Sequence, residues 1–509
     1  MRELTIIENG LVITCDGAGR AGPMDLLVRE GRILETAPGP GAFASLRGAA
    51  TVVDASGRII TPGFVNAHSH AESLLLRERT RALHPSLWKR DLRLQQASRH
   101  LASPEGRADL RALTLVSFFT HVVHGTTCAA EYGLPADEAG FEAMLQAMRQ
   151  SNVYGVAALR TWAQVQAARR MEGAAGRFLM DAGREKEFTV HGFETTLRDA
   201  RELGVRILVH AAELEEDAET VRRKFRKDTG ALLRDYGLLT GETLLVHLNH
   251  FEPEDLDIVE ASGATVVISP LSSALKRTGY PSLARLCRGG IPLAFGTDWG
   301  AHDMMEELRF LHRMPLLAPG VHSLTAARLV EAATRGGARA LGLGERKGSI
   351  EAGKDADLVF FSTRGLRPGA PPGHPAGEEL AECLLNHYAS GNIADVMIRG
   401  ELVVRDGAPL TLAEEDLAGV MAGLVRDAFP DPGPPAAEPQ ERARRTVKVI
   451  PFAPVPPPLR DYPEGEAEGF TIVGKTPGSG APGGKTPPDP ARLPELGRDV
   501  RRVFGEDEP

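Results

Sequence analysis

The chain is short of several things, and each shortage excludes something. Only four of its 509 residues are cysteine: Cys15, Cys128, Cys287 and Cys383. No two of them have the spacing of metal ligands or of a redox pair. A disulfide framework is therefore not expected, and a reducing cytoplasm is the simplest home. Long apolar runs are missing as well. No stretch of about 18 apolar residues occurs, so no membrane span is expected. The opening Met1-Arg2-Glu3-Leu4 lacks the basic segment and apolar core of a signal peptide. Positive charge is not in excess either, with 59 Lys and Arg against 68 Asp and Glu and a net charge of −9. A protein held on nucleic acid mainly through phosphates needs the opposite balance. No period of 20–50 residues repeats, which argues against a solenoid or propeller.

What is present is length, glycine (55) and proline (36). At about 150 residues per domain, the length allows two to four domains, or one large barrel with additions. Residues 1–60 read as short strands around turn signals. Leu4–Ile7 and Leu11–Thr14 flank Glu8-Asn9-Gly10, Leu26–Val28 and Arg32–Leu34 flank Glu30-Gly31, and Thr51–Val53 and Arg58–Ile60 surround Asp54–Gly57. A small β-module is expected there. From 61 to 345 apolar strands alternate with amphipathic helical stretches, which implies repeated βα units and a parallel sheet of a size suited to eight units. Short strands return over 346–410 and are expected to complete the sheet begun by residues 1–60. Thr411–Glu414 has the form of a capping box, opening a helix over 411–430 with Leu417, Val420, Met421, Leu424 and Val425 on one face. Residues 431–509 hold 17 of the 36 prolines and are expected to be a largely disordered Pro/Gly-rich extension. The fold class expected is α/β: a distorted (β/α)8 barrel, a small discontinuous β-sandwich domain and this extension.

The chemistry concentrates at strand ends. His68-Ser69-His70 follows the apolar run Arg58–Val65, and residues two apart on a strand project to the same side. His210 ends the strand Val205–Val209 and is followed by Ala211-Ala212-Glu213. His247 ends Leu244–Val246, and Asp298 follows Ile291–Phe295 and Gly296-Thr297. Catalytic residues of a βα barrel gather at that rim. Histidines and an aspartate gathered at such ends suit a divalent metal such as zinc, or iron.

These motifs resemble the amidohydrolase superfamily, in its mononuclear cytosine-deaminase-like and chlorohydrolase-like branch. The resemblance covers about residues 1–410. It rests on Pro62–His70, His210–Glu213, His247-Leu248-Asn249-His250 and Gly296-Thr297-Asp298. Gly125-Thr126-Thr127, Ala332–Ala338 and Gly348–Leu358 support it. It implies that His68, His70, His210 and Asp298 bind one metal, zinc in most members and iron in some. It also implies that Glu213 shuttles a proton and that His247 stands beside the metal's water. Such a metal lowers the pKa of bound water towards neutrality. Asp298 is then placed to take the water's proton, and Glu213 to protonate a substrate nitrogen and assist ammonia's departure. Lys186, the one nearby candidate for the bridging lysine of binuclear relatives, has no strand to present it, so one metal is expected.

The match weakens where substrate is read. No histidine occurs between His124 and His191, so the branch's substrate-reading histidine is missing, and Asp181 or Arg184 is a candidate replacement. The family's Pro-x-Ser-Asn turn appears as Pro270-Leu271-Ser272-Ser273. Trp299 follows the metal aspartate, where it can stack on a flat ring, and His302 is a further candidate contact. The expected function is metal-dependent hydrolysis of a carbon–nitrogen bond, foremost deamination of a cyclic amidine or N-heteroaromatic small molecule. Ring opening of a cyclic amide, displacement of a halide or alkylamine, and a non-catalytic scaffold are the alternatives. Neither nucleic acid nor membrane is an expected partner, and a homo-oligomer is left open.

Overall fold

The ten residues Leu4–Ile13 form one strand, β1, not the two short strands read from the Glu8-Asn9-Gly10 turn signal. Asn9 has a left-handed φ of 65°, and the pairing register shifts between Ile7 and Gly10. The turn residues therefore make a β-bulge and the chain continues. The structure, a computed structural model, describes residues 4–133, 135, 137–171, 176–314, 324–363, 376–410 and 414–429. The Pro/Gly-rich extension 431–509 and the capping residues Thr411–Ala413 lie outside the described residues.

The strands β2 (Ala21–Arg29) and β3 (Arg32–Pro38) form a hairpin through Glu30 and Gly31, both at positive φ. The strands β4 (Ala50–Asp54) and β5 (Arg58–Pro62) each pair with β1 in parallel and do not pair with each other. The barrel strands are β6 (Phe64–Ser69), β7 (Thr126–Glu131), β8 (Tyr154–Leu159), β9 (Phe178–Asp181), β10 (Arg206–Ala211), β11 (Thr243–His247), β12 (Thr265–Ile268) and β13 (Leu293–Phe295). The chain then returns as β14 (Leu358–Ser362), β15 (Ile393–Ile398), β16 (Glu401–Arg405) and β17 (Ala408–Pro409). Antiparallel pairing of β14 with β5 joins the two terminal segments into one nine-stranded sheet.

The eight barrel strands run in sequence order, all parallel. One side chain set packs inward: Val65, Cys128, Val156, Leu179, Leu208, Leu244, Val267 and Ala294 supply one residue from each strand. The alternate set, including Ala129, Ala157, Phe178, Val209, Leu245, Val266 and Phe295, packs with helix residues such as Phe118, Phe193, Val259 and Leu308. This two-sided burial is what makes the strands nearly continuous apolar runs.

The circle closes where it is most distorted. β13 has three residues, and its link to β6 is the single bridge Ser69–Asp298. Buried Asn66 completes the seam. Its Oδ1 accepts from the backbone N–H of Thr297 (3.1 Å) and of His68 (3.3 Å), and its Nδ2 donates to Thr297 Oγ1 at 2.8 Å. The Asp298 N–H donates to the His68 carbonyl at 2.9 Å. Gly296 permits this approach, since a Cβ there would lie 2.8 Å from that of His68.

The helix Glu414–Ala428 closes the described chain. It buries Leu424 and Ala428, with Met421 partly covered, against Leu75, Leu76, Leu94 and Ala97. Val420 and Val425, expected on the buried face, are 39% and 46% exposed. The contact stripe is narrower than the apolar pattern suggested, because only one edge of the helix meets the barrel insertion.

Candidate metal centre and its pocket

At the C-terminal rim of the barrel, His68 and His70 leave β6, His210 lies near the end of β10, His247 ends β11 and Asp298 follows β13. All five are buried. The His68 ring lies 4.9 Å from those of His70 and His210 and 6.0 Å from that of His247. Asp298 Oδ1 faces His70 Nε2 at 3.4 Å and His68 Nε2 at 3.6 Å. The donor atoms of His68, His70 and Asp298 lie within 4.8 Å of one another, as do those of His68, His210 and His247. Backbone strain collects at the same rim: Ala212, His247, Leu248 and Asp298 all have positive φ, up to 83° at His247. Non-glycine residues hold such angles only where surroundings dictate them.

The electrostatics favour a cation. Burial lowers the pKa of His68, of His210 and of His247, the last to about 4, so these imidazoles are neutral donors. Burial opposes charge on His70 too, but Asp298 and Glu72 outweigh it and raise its pKa to about 10. Burial also disfavours the charged form of Asp298, yet Lys276, His68 and His70 hold its carboxyl well below the usual range. His68 Nε2 is buried without a hydrogen-bond partner. An orphaned imidazole nitrogen beside other nitrogens and a carboxylate fits a divalent ion. Glu72 accepts from or pairs with His70 Nδ1 at 3.3 Å, the outer-shell arrangement that orients a ligating ring.

Glu213 stands beside the cluster with both carboxylate oxygens engaged. Lys276 Nζ donates to Oε1 at 2.5 Å and Arg184 Nη2 to Oε2 at 2.5 Å. Arg184 also reaches Asp217 at 3.2 Å. Burial pushes the Glu213 pKa up, but Lys276, His247 and Arg184 bring it below the ordinary glutamate range. Lys276 additionally donates to Asp298 Oδ2, and Ser272 Oγ donates to the same oxygen at 2.8 Å.

A cavity of about 760 Å³ opens onto this cluster, lined among others by His70, His210, Glu213, His247, Lys276, Asp298, Arg184, Trp88 and Trp299. Trp299 stacks on His70 at 30° and meets Trp88 edge to face at 4.6 Å. Two expected substrate contacts are not on this wall. His302 is fully buried behind it, against Ser73 and Ser117, with its Nε2 3.2 Å from the His70 carbonyl and its ring stacked on His121. Asp181 is turned to the Tyr132 hydroxyl and the Gly183 N–H. His250 bonds the Thr278 carbonyl at 3.0 Å. Lys186 lies exposed at the cavity's edge.

Sequence reasoning passed over Lys276, Glu72, Tyr132 and Trp88. Lys276 ends the short helix Pro270–Lys276 that starts directly after β12. The one signal available was its place at the end of a short helical stretch that begins two residues after a barrel strand.

An eight-stranded parallel barrel with histidines and an aspartate converging at its C-terminal rim defines a metal-dependent barrel hydrolase. The chain belongs to the amidohydrolase family, whose model matches residues 59–403. It is 28% identical over 430 residues to a 5-methylthioadenosine/S-adenosylhomocysteine deaminase of Desulforudis audaxviator, spanning 81% of this chain and 95% of that one. An adenosine deaminase from Xanthomonas campestris with bound zinc has the same fold, with a TM-score of 0.72 at 23% identity, covering 83% of this chain and 98% of that chain. Atrazine chlorohydrolase TrzN from Arthrobacter aurescens, complexed with zinc, matches with a TM-score of 0.72 at 18% identity over 83% of this chain and 100% of that chain. Among the described residues no helix is long and apolar enough to cross a membrane.

Proposed function

We propose that this chain is an aminohydrolase that replaces the exocyclic amino group of an N-heteroaromatic small molecule, one water being consumed and one ammonia released. Adenine nucleosides, the substrates in the names of its curated relatives, are the first candidates. The observation that carries the reading is that one buried carboxylate, Glu213, lines a single cavity together with His70, His210 and Asp298, whose donor atoms fall in overlapping groups with that of His68 behind them.

In this reading His68, His70, His210 and Asp298 hold one divalent ion, zinc by likeness to the zinc-bound neighbours. When bound, such an ion makes water a competent nucleophile at neutral pH. The chain's own residues do the rest. Asp298, ionised and anchored at Oδ2 by Lys276 and Ser272, keeps Oδ1 turned towards the histidines and the water. His247, neutral, orients the water or the substrate. Glu213 is ionised at rest, so it accepts the attacking water's protons one at a time before it gives them. It delivers the first to a ring nitrogen, which makes the adjacent carbon electrophilic, and the later one to the departing amine. Trp299 and Trp88 give the cavity an aromatic wall against which a flat ring can lie. Arg184, bridging Glu213 and Asp217, is placed to contact substrate beside the shuttle.

The test is a product analysis of the zinc-loaded enzyme across adenine nucleosides, other purines, pyrimidines, triazines, pterins and cyclic guanidines. Ammonia with the ring intact is expected. A new carboxylate would instead indicate ring opening, and a released halide or alkylamine would indicate displacement.

A further inference from the structure

The rim carries two overlapping groups of donors, and they share Asp298. One is His68, His70 and Asp298. The other is Glu213, His247 and Asp298, again with donor atoms within 4.8 Å of one another. Asp298 divides its oxygens between them: Oδ1 faces the two histidines, and Oδ2 faces Lys276 and Ser272. In the second group a positive charge is already in place. Lys276 is 3% exposed, and its Nζ donates to both Glu213 Oε1 and Asp298 Oδ2.

We propose that Lys276 is the resident second cation of this centre, filling the place between Glu213, His247 and Asp298 that a second divalent ion would take. The inference rests on the metal reading given above. Two buried carboxylates sharing one small volume repel each other unless a cation stands between them. An ammonium is a compact point charge with three donors, suited to bridging two carboxylates. Removing one partner of a buried ion pair leaves the other charge uncompensated. In the absence of the ammonium, two carboxylates and an imidazole around one volume are a donor set for a divalent ion. The missing bridging lysine is thus only part of why one metal is expected; the other part is that the adjoining position is taken.

The lysine's attachment supports this. Arg277, at a φ of 56°, ends the helix Pro270–Lys276 immediately after it. Ser272 on the same helix bonds the same Asp298 oxygen and also accepts from the Trp299 N–H at 3.2 Å. The helix therefore grips the aspartate at two points, and Lys276 is held on the side away from His68 and His70.

The experiment is zinc stoichiometry by elemental analysis, with thermal melting, on full-length wild type, K276R and K276A after saturation and removal of loose ions. Wild type and K276R are expected to retain one ion per chain. K276A is expected to retain two, with zinc raising its Tm by more than it raises that of wild type. The double variant K276A/E213Q, lacking one of the second site's carboxylates, should return to one. A folded K276A that still binds one ion would overturn the proposal. So would two ions in wild type, a result that needs no variant to fold. Wild type with no ion would remove the metal reading itself. One ion without ammonia from any substrate would leave this assignment standing and sink the deamination reading.

Discussion

Glu213 is held by a cation at each oxygen, which fixes both its position and its charge. E213Q keeps the shape and every proposed metal donor but cannot carry the proton. It should therefore retain its metal and lose about 10²–10⁴-fold in kcat. Ammonia release measured beside metal content checks this, and normal turnover in E213Q would remove the shuttle role. At this scale the sequence was informative where a residue's position follows from a strand. His68, His70, His210, His247 and Asp298 each sit at or just past an apolar run, and the barrel brings such ends together. It was uninformative where position depends on a turn. His302 lies four residues beyond Asp298, but its positive φ of 58° turns it behind the wall instead of into the cavity. Lys276 is the converse case, a lysine that pattern alone assigns to solvent and a short helix delivers to the centre.

Among elements, the seam between β6 and β13 positions two of the proposed ligands on one side and one on the other. It depends on Asn66 more than on strand pairing. N66A would leave the buried N–H groups of Thr297 and His68 short of an acceptor, at a cost of about 2–4 kcal/mol. A lower Tm and weaker zinc retention are expected together. A lower Tm with unchanged zinc retention would show that the seam does not set the ligand geometry. Asn66 stood within the Pro62–His70 motif, but nothing in the sequence gave it this role, because a side chain substituting for a ladder has no periodicity.

A second element offers a pH test away from the centre. Asp255 accepts from the Ala231 N–H at 3.3 Å beside the start of the helix Thr229–Asp235. Burial raises its pKa to about 6, with Asp228 adding to the rise and the Gly230 and Ala231 N–H groups opposing it. The folded state therefore holds a proton that the unfolded chain, with a pKa of about 3.9, has released. Stability from this group falls as pH rises from about 4 to 6 and stays low above that. D255N keeps the acceptor and cannot ionise. Its Tm relative to wild type should rise between pH 4.5 and pH 7; a difference flat with pH would contradict the burial effect.

For the whole molecule, the sequence made the split sheet legible, because two strand-rich segments flank one stretch of βα repeats. Pairing was not legible: β4 and β5 look like a hairpin and instead lie on either end of β1, since pairing partners so distant leave no local mark. The helix Glu414–Ala428 ties the C-terminal end of the described chain to the insertion that carries Trp88. We propose that the fold needs this helix and not the extension beyond it. A chain ending at residue 434 should melt within about 2 °C of the full length, whereas one ending at 412 loses the buried Leu424, worth about 1.5–3 kcal/mol, and should melt lower. Equal melting of both would show that the helix is dispensable.

The most direct measurement is a titration of metal-stripped protein with zinc, reading ammonia released from an adenine nucleoside. The expected result is negligible release without metal, a linear rise to one ion per chain and a plateau beyond it. Full turnover by stripped protein, or no ammonia from any amino-substituted ring with one ion bound, would contradict a metal-dependent aminohydrolase.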